Sequence, residues 1–476
     1  MGRIFTILTQ LRPEVELGVG LLIALAVSVH VLLTNSEVRV AAAWIGLAWF
    51  APFIGGPVYV LFGINRVQRR ARRLRAGVAE AIRDRSGAAA LPGQNGRLEA
   101  LRRSLDVITG RPLTVGNAVQ VLHNGDEAYP AMLAAIDAAR GSIGLSSYIM
   151  RDDAIGTRFI EALQAARARG VEVRVIVDGV GSGWLVSPAF THLRRAGVPV
   201  ERFMHSALPW RMPFLNLRSH KKILVIDGAI GFTGGINIAD QNVLATNPPD
   251  PVQDTHFRLT GPVVAQLVEA FAQDWLFVNG EMLDGPAWFP SLSAAGAAPA
   301  RVATAGPDED VEKIEIAVLQ AITCAETSIR VMTPYFLPDQ PLILALSLAA
   351  TRGVQVDILL PERGDHRLVE WAMLANVAPL LRAGGRIWRS PQPFRHSKAM
   401  VVDSAWSLIG SSNWDMRSFR LNFELCVEVY GPGLARDLEA AILQSRGAGL
   451  DIAELRARGV LTRLRDAATR LLLPYL

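Results

Sequence analysis

Cysteine is nearly missing from this chain. It has two in 476 residues, Cys324 and Cys426. That is too few for a disulfide framework, and no C-x-x-C pair is present to form a metal knuckle. Each is flanked by apolar residues, where a free thiol behaves as a small buried hydrophobe, and the pattern fits a reducing, cytoplasmic setting for most of the chain. Lysine is scarce beside arginine, and charged residues make up only 20% of the sequence. The net charge is +5, the pI is about 9.5 and the mean hydropathy is +0.25. A positive hydropathy is unusual for a soluble enzyme. The basic balance suits an anionic membrane surface or nucleic acid and does not by itself choose between them. A cleaved leader is not expected either, because the first apolar run is long, a second follows at once, and the nearest A-x-A triplet, Ala41 to Ala43, falls inside that second run.

Two apolar runs open the chain, at residues 17–34 and 40–63. Each approaches the ~20 residues needed to cross ~30 Å of hydrocarbon. The link between them, 35–39, is short enough only for a hairpin. Pro52 and Pro57 disturb the second run, and six arginines follow it within residues 65–75. Positive residues stay on the cytoplasmic side, so both ends of a two-helix transmembrane hairpin are expected inside the cell membrane. The arginines are expected to meet anionic lipid head groups. His30 reads as an interfacial residue and not as a ligand. Residues 1–75 thus form a membrane region, and residues 76–117 a polar connector with a short helix near 98–107.

From residue 118 the pattern is α/β. Strands are predicted at 143–149 and 171–177, with a helix at 155–168 between them. The same order returns as strand 327–332, helix 341–351 and strand 354–360. The turns Ala168-Arg169-Gly170-Val171 and Thr351-Arg352-Gly353-Val354 correspond, and Tyr148 and Tyr335 fall at matching places. The predicted architecture is a duplicated α/β sandwich of two pseudo-symmetric halves, 118–285 and 308–476. The Ala-, Gly-, Ser- and Pro-rich stretch 286–307 reads as a linker between them. In the tail, 459–476, Arg463, Arg465 and Arg470 interleave with leucines. That pattern predicts a helix lying on the bilayer surface, with a core-docked helix as the alternative.

The repeat converges on one motif. H-x-K-x4-D-x6-G-[GS]-x-N occurs as His220, Lys222, Asp227, Gly234, Gly235 and Asn237, and again as His396, Lys398, Asp403, Gly410, Ser411 and Asn413. The apolar strands 223–226 and 399–402 frame it, and Asp227-Gly228 reads as a hairpin turn. His and Lys two apart on a strand share a face. Two such pairs facing each other suit an anionic phosphodiester. One imidazole attacks phosphorus, and the other protonates the leaving alkoxide and then deprotonates the incoming nucleophile. The lysines neutralise the nonbridging oxygens, each by ~4 kcal/mol at ~4 Å and an effective dielectric of ~20, before desolvation. Asn237 and Asn413 add neutral donors. No cofactor or metal is called for, because paired ammonium groups repel a cation.

Asp254 and Glu424, each seven residues before a glycine, read as the orienting acids for His220 and His396. Asp227 and Asp403 read as anchors of the turns and their lysines. His256 reads as structural. His366 follows a strand end, where ligands bind in open α/β sheets. Trp210, Met212, Phe214 and Leu215, with Arg211 and Arg218, form an apolar loop able to dip into a bilayer or to pack in a core.

At these residues the sequence resembles the phospholipase D superfamily, whose signature is the doubled H-x-K-x4-D motif. Within it the chain is most similar to bacterial cardiolipin synthases. That resemblance is carried by MPFLNLR before the first motif, by GFTGGINI, TPYFLPD, RGVQVDILLP and DMRSFRLNFE, and by Leu61-Phe62-Gly63 followed by arginines. It covers nearly the whole chain. It implies a metal-independent phosphatidyl transfer between two phosphatidylglycerol molecules, giving cardiolipin and glycerol, with His220 as nucleophile and His396 as acid/base. It further implies anionic lipid partners, no nucleic acid and no obligatory protein partner. A phospholipase D-type hydrolase, or a transferase using another alcohol, shares the same chemistry. A nuclease fits the basic charge and not the apolar runs. A non-catalytic scaffold would be marked by loss of a His or Lys, and both copies are intact. Three departures from the family pattern, Ala239, Pro251-Val252-Gln253 before Asp254, and Trp414, are expected at the pocket rim.

Overall fold

The computed structural model describes residues 2–34, 38–63, 96–205, 217–307 and 310–471. The arginine run 65–75, connector residues 76–95, the loop residues Trp210, Arg211, Met212, Phe214 and Leu215, and the last five residues of the tail lie outside that set. The chain divides into two compact units.

The first contains the N-terminal helices. Gly2–Thr34 is one helix, and its part Glu14–Thr34 is long and apolar enough to cross a membrane. The second apolar run is not a single helix. Val38–Phe50 stops, Pro52–Val58 begins again, and a π-helical turn, Tyr59–Gly63, follows. Pro52 is the cause: it has no N–H to give to the carbonyl four residues back, and its ring clashes there, so it opens a new helix instead. Several polar side chains of this unit pair with one another. Ser28 Oγ donates to the Ala24 carbonyl at 2.7 Å and accepts from Trp49 Nε1 at 3.0 Å. His30 Nδ1 lies 2.6 Å from the Tyr59 hydroxyl. Leu22, Leu32 and Leu33 are left exposed.

The second unit is α/β, built on one long mixed sheet. In spatial order its strands are Arg386–Ser390, Gln355–Pro361, Ser328–Met332, Ala399–Val402, Trp406–Gly410, Asn422–Tyr430, Ala298–Ala305, Thr114–His123, Thr255–Thr260, Ile230–Gly234, Ile223–Ile226, Ser142–Ser147, Glu172–Asp178 and Val200–Phe203. The outer pairs are parallel, as at Ser142–Ser147 beside Glu172–Asp178 and Ser328–Met332 beside Gln355–Pro361. Their crossover helices, Ala154–Ala168 and Gln340–Thr351, start on the N-caps Asp153 and Asp339, whose carboxylates accept from backbone N–H groups. The central strands are antiparallel.

One expectation needs correcting here. The stretch 286–307 is not simply a linker, because Ala298–Ala305 is a strand in the middle of the sheet. It pairs with Asn422–Tyr430 on one side and with Thr114–His123 on the other. Its Arg301 is fully buried, and its guanidinium bonds Glu428 and Asp106. The short helix expected near 98–107 in the connector is present as Arg97–Thr109. It buries Leu101 and Leu105 in the same apolar cluster as Ile314, Val318, Ile329 and Trp406. A separate cluster, with Phe159, Leu163, Val175, Leu224 and Phe232, fills the other end of the unit. In the tail, helix Val460–Arg470 docks through its charged face. The Arg465 guanidinium lies 3.9 Å from the Trp371 ring, and Asp466 bonds both Arg458 and Arg465. Val460, Leu461 and Leu464 point to solvent.

Candidate active site

Each motif begins on a short edge segment. Arg218–Ser219 pairs in parallel with the start of Asn422–Tyr430, and Phe394–Arg395 pairs in parallel with Val252–Gln253. The His220 N–H therefore reaches the Phe423 carbonyl at 2.9 Å, and the His396 N–H reaches the Gln253 carbonyl at 2.7 Å. Phe423 and Gln253 directly precede Glu424 and Asp254. Thr255 Oγ1 and Ser397 Oγ, 2.9 Å apart, join the two segments again.

This brings the acids to the histidines in crossed order. His220 Nδ1 lies 3.0 Å from both Glu424 oxygens, and His396 Nδ1 lies 2.7 Å from Asp254 Oδ2. Chain order pairs Asp254 with His220; the structure gives it to His396. The reason lies in the sheet. Ile230–Gly234 stands between the strand after His220 and the strand after Asp254, a separation of roughly 10 Å. Residues 394–395 lie directly beside 252–253. With Nδ1–H given to a carboxylate, each ring keeps Nε2 as its open nitrogen.

The flanks of the acids differ. A Cβ on Gly235 would sit 2.2 Å from Asp254 Oδ1, so that position tolerates no side chain. At the matching place Ser411 donates its hydroxyl to Glu424, and Asn422 Nδ2 adds a bond at 3.3 Å. Sequence reasoning missed Ser411 as a functional hydroxyl, although the G-[GS] position in the motif carried the signal. It also missed Asp178, whose buried carboxylate accepts from Val180, Gly181 and Ser219 N–H at 2.7–2.9 Å and so holds the start of the first motif. A carboxylate ending the apolar run 171–177 was the available clue.

Burial sets the charge states. It pushes the His220 imidazole down to about 4, against the pull of Glu424, and lowers His396 as well, helped by Lys398. Burial opposes ionisation of both acids. The Lys398 and His396 charges nevertheless hold Asp254 below the usual carboxylate range, and the His220 and Lys222 contacts do the same for Glu424. Lys222 is lowered to about 8 and Lys398 to about 7, both mainly by desolvation. The chain has only four lysines. Lys221 pairs with Asp274 at 2.9 Å and Lys313 with Asp310 at 2.6 Å. Lys222 and Lys398 instead donate to the carbonyls of His220 and His396.

Asp227 and Asp403, the acids of the two motifs, stand away from the histidines. Each occupies a turn at the far end of its strand from the histidine, with φ of 51° and 52°. Asp227 accepts from the N–H groups of Arg140, Gly141 and Ser142, and Asp403 from those of Glu326, Thr327 and Ser328. They anchor turns and not the lysines, and their oxygens are taken up by these N–H groups and, at Asp403, by the Thr327 hydroxyl as well. Asn237 Oδ1 accepts from Ile149 N–H at 3.3 Å. Asn413 Oδ1 is buried with no hydrogen-bond partner among the described residues.

Tyr148 stands edge-on to His220 at 5.0 Å between ring centroids, with Lys222 Nζ 5.5 Å from the Tyr148 ring. Tyr335 stands edge-on to His396 at 6.5 Å. His256 is buried, and His366 is 66% exposed. Two residues expected at the rim are not there. Ala239 is fully buried, with the Tyr129 hydroxyl donating to its carbonyl. Trp414 is buried against Phe336 and Phe419. Among the described residues no cluster of three or more His, Cys, Asp or Glu is placed to hold a metal ion.

A family model described as "Cardiolipin synthase, PLD-like domain" matches residues 132–275 and 318–445. A cardiolipin synthase of Geobacillus kaustophilus (strain HTA426) is 34% identical over 95% of this chain and 91% of that protein. Cardiolipin synthase A of Pseudomonas fluorescens (strain SBW25) is 33% identical over 94% of this chain and 95% of that one. Among solved structures, phosphatidylserine synthase of Haemophilus influenzae Rd KW20 superposes with a TM-score of 0.58 at 14% identity. The match covers 79% of this chain and all of that one, and at that identity it speaks for the fold alone. A doubled His-Lys motif on a mixed α/β sheet, matched over nearly its full length by cardiolipin synthases, thus makes the chain a member of the cardiolipin synthase family of phospholipase D-like proteins.

Proposed function

We propose that the protein transfers a phosphatidyl group from one phosphatidylglycerol to the glycerol head of another, giving cardiolipin and glycerol through a phosphohistidine. The observation that carries this reading is the pair of His–carboxylate contacts, Glu424 on His220 and Asp254 on His396, flanked by Lys222 and Lys398. One neutral imidazole uses Nε2 to form an N–P bond while the P–O bond to glycerol breaks. The other enters the step as an imidazolium, its charge balanced by the carboxylate on Nδ1, and gives its Nε2 proton to the departing alkoxide. An acceptor hydroxyl then returns a proton to that second imidazole as its oxygen bonds phosphorus and the N–P bond breaks. The lysines stabilise the charge that grows on the nonbridging oxygens. The carboxylates hold each ring in the tautomer that leaves Nε2 open, so Asp254 and Glu424 act as positioning residues. Asn237 and Asn413 support the pocket, and Asp227 and Asp403 act only through the strands they anchor. No cofactor enters the scheme.

The protein is proposed to sit in the cell membrane on a hairpin of two spans, with the catalytic unit on the cytoplasmic side. The apolar helix Glu14–Thr34 and the arginine run 65–75 support this. The open leucine face of Val460–Arg470 suits contact with anionic lipid. A duplicated origin of the two halves of the sheet is supported by the strand order, which is mirrored about the junction of Ala298–Ala305 with Thr114–His123. No nucleic-acid or obligatory protein partner is proposed.

The test is purified protein in mixed micelles with labelled phosphatidylglycerol and a chelator. Cardiolipin and glycerol formed together, and lost in His220→Ala, are expected. Phosphatidic acid as the sole lipid product would make the protein a hydrolase and overturn the reading.

A further inference from the structure

The two ends of the pocket differ in chemistry. Beside His220, Arg218 and Arg417 both lie close enough to the Tyr148 hydroxyl to act on it electrostatically. Arg218 and His220 are two apart across a short strand and share a face. That end is cationic. Beside His396, the position matching Arg218 is Phe394, whose ring lies 6.0 Å from the imidazole. The Tyr335 hydroxyl there donates to both oxygens of Asp365, at 2.7 and 2.8 Å. The Asp365 side chain is 46% exposed, with His366 Nε2 3.8 Å away, and it is near enough to Lys398 to favour its ammonium form. It follows the C-terminal end of strand Gln355–Pro361, the usual place for ligands in such sheets. A carboxylate offers about four lone-pair sites, and the single Tyr335 proton, shared between the two oxygens, leaves acceptor capacity on this half-exposed side chain.

Resting on the transferase reading above, we propose that Asp365, steadied by Tyr335, is the specificity-determining acceptor for the hydroxyls of the glycerol head group. This fixes the direction of the reaction. Glycerol leaves, and the acceptor glycerol enters, at the Asp365 end beside His396. In-line displacement then requires attack from the other side, so His220 Nε2 forms the N–P bond and His396 carries the proton to and from the alcohol. Arg218 and Arg417 face the phosphoryl group that stays behind.

The test is a competition. Full-length protein in mixed micelles is given phosphatidylglycerol as donor, with equal deuterated glycerol and 1-propanol as acceptors. The ratio of deuterated phosphatidylglycerol to phosphatidylpropanol is read by mass spectrometry. The ratio is independent of how much enzyme is folded. Asp365→Ala is expected to lower it roughly ten-fold, the scale of one or two hydrogen bonds to a half-exposed carboxylate. Tyr335→Phe should lower it less, and Asp365→Asn, which keeps an accepting oxygen, should fall between. An unchanged ratio in Asp365→Ala, with phosphatidylpropanol still formed, would overturn the proposal. So would a wild-type preference for ethanolamine over glycerol, since that would make Asp365 an ammonium site. A wild-type protein that passes the phosphatidyl group only to water would sink the transferase reading itself, and the proposal with it.

Discussion

The crossed carboxylates make a demanding prediction. Glu424 holds His220 through two contacts of 3.0 Å, so Glu424→Gln removes the charge that stabilises the imidazolium and loosens the tautomer lock. One charge-assisted hydrogen bond, shared between the two oxygens, at ~1.5–3 kcal/mol corresponds to a rate loss of about 10- to 10²-fold. Losing the tautomer lock as well can raise the cost to ~10⁴-fold, the scale seen when the buried carboxylate behind a catalytic imidazole is replaced elsewhere. A phosphatidyl donor with a p-nitrophenol head group separates the two acids, because its leaving group needs no proton. If His220 attacks, Glu424→Gln loses the initial burst of p-nitrophenol. Asp254→Asn keeps the burst, accumulates phosphoenzyme and slows transfer to alcohol. Rapid-quench measurement of both variants decides. A burst that survives Glu424→Gln and disappears in Asp254→Asn would refute the reasoning. His396→Ala and His220→Ala then locate the fault: a burst retained only in His396→Ala keeps His220 as the attacker and leaves the crossed pairing as the error.

Further predictions follow from burial and packing. Lys398 is lowered to about 7 and Lys222 to about 8, and each is an ammonium only below its pKa. The kcat/KM of free enzyme should therefore fall as pH rises from about 7 to about 8. The kcat limb should lie higher, because bound phosphate favours the ammonium form. Lys398→Arg should move the kcat/KM limb upward, since guanidinium keeps its proton. Gly235→Ala places a methyl 2.2 Å from Asp254 Oδ1 and should cut turnover about 100-fold or more, with ~1–3 kcal/mol of overpacking seen in thermal denaturation. Ser411→Gly removes one donor to Glu424 and should cost ~10-fold in turnover. Arg301→Met strands Glu428 in the core and should destabilise by ~3–5 kcal/mol, whereas Arg301→Met with Glu428→Met should recover most of that loss. Denaturation midpoints in detergent check this cycle, and full additivity of the two changes would exclude the coupling.

What the sequence made legible was local. The motif strands at 223–226 and 399–402 are found at those residues. The crossover helix expected at 155–168 is Ala154–Ala168. Alternating or continuous apolar runs bounded by glycine turns fix such elements within a residue or two. What stayed hidden depends on distant partners. Ala298–Ala305 is rich in alanine, a poor strand former, and carries an arginine at its centre. Only pairing to Asn422–Tyr430 and Thr114–His123, with Glu428 waiting for Arg301, makes it a buried strand. Helix Arg97–Thr109 was legible as a helix but not as part of a core, because the cluster it completes lies some two hundred residues later, at Ala303 and Ile314. The spacing of Asp254 and Glu424 singled out both acids but could not say which histidine each serves, because spacing records neighbours along a strand and not neighbours across a sheet.

That crossing also explains why the two motifs are not interchangeable. Each supplies a histidine and a lysine to its own side. Each draws a backbone carbonyl and a carboxylate from the other, through the pairings 218–219 with 422–423 and 394–395 with 252–253. A shift of one residue in either pairing would turn both the carbonyl and the acid away from the ring, since a one-residue slip reverses every side chain. The site therefore needs the sheet between the motifs to be stiff, and its central strands are the ones sealed by the buried Arg301–Glu428 pair. Within that shared frame the sides have diverged in compensating steps. A short acid, Asp254, lies against the bare Gly235, and a longer one, Glu424, lies against Ser411, whose hydroxyl it accepts. Near His220 a tyrosine meets arginine; near His396 a tyrosine meets aspartate. Two imidazoles in the same orientation, fed by unlike surroundings, are what a double displacement requires, since one ring must bond phosphorus while the other handles only protons.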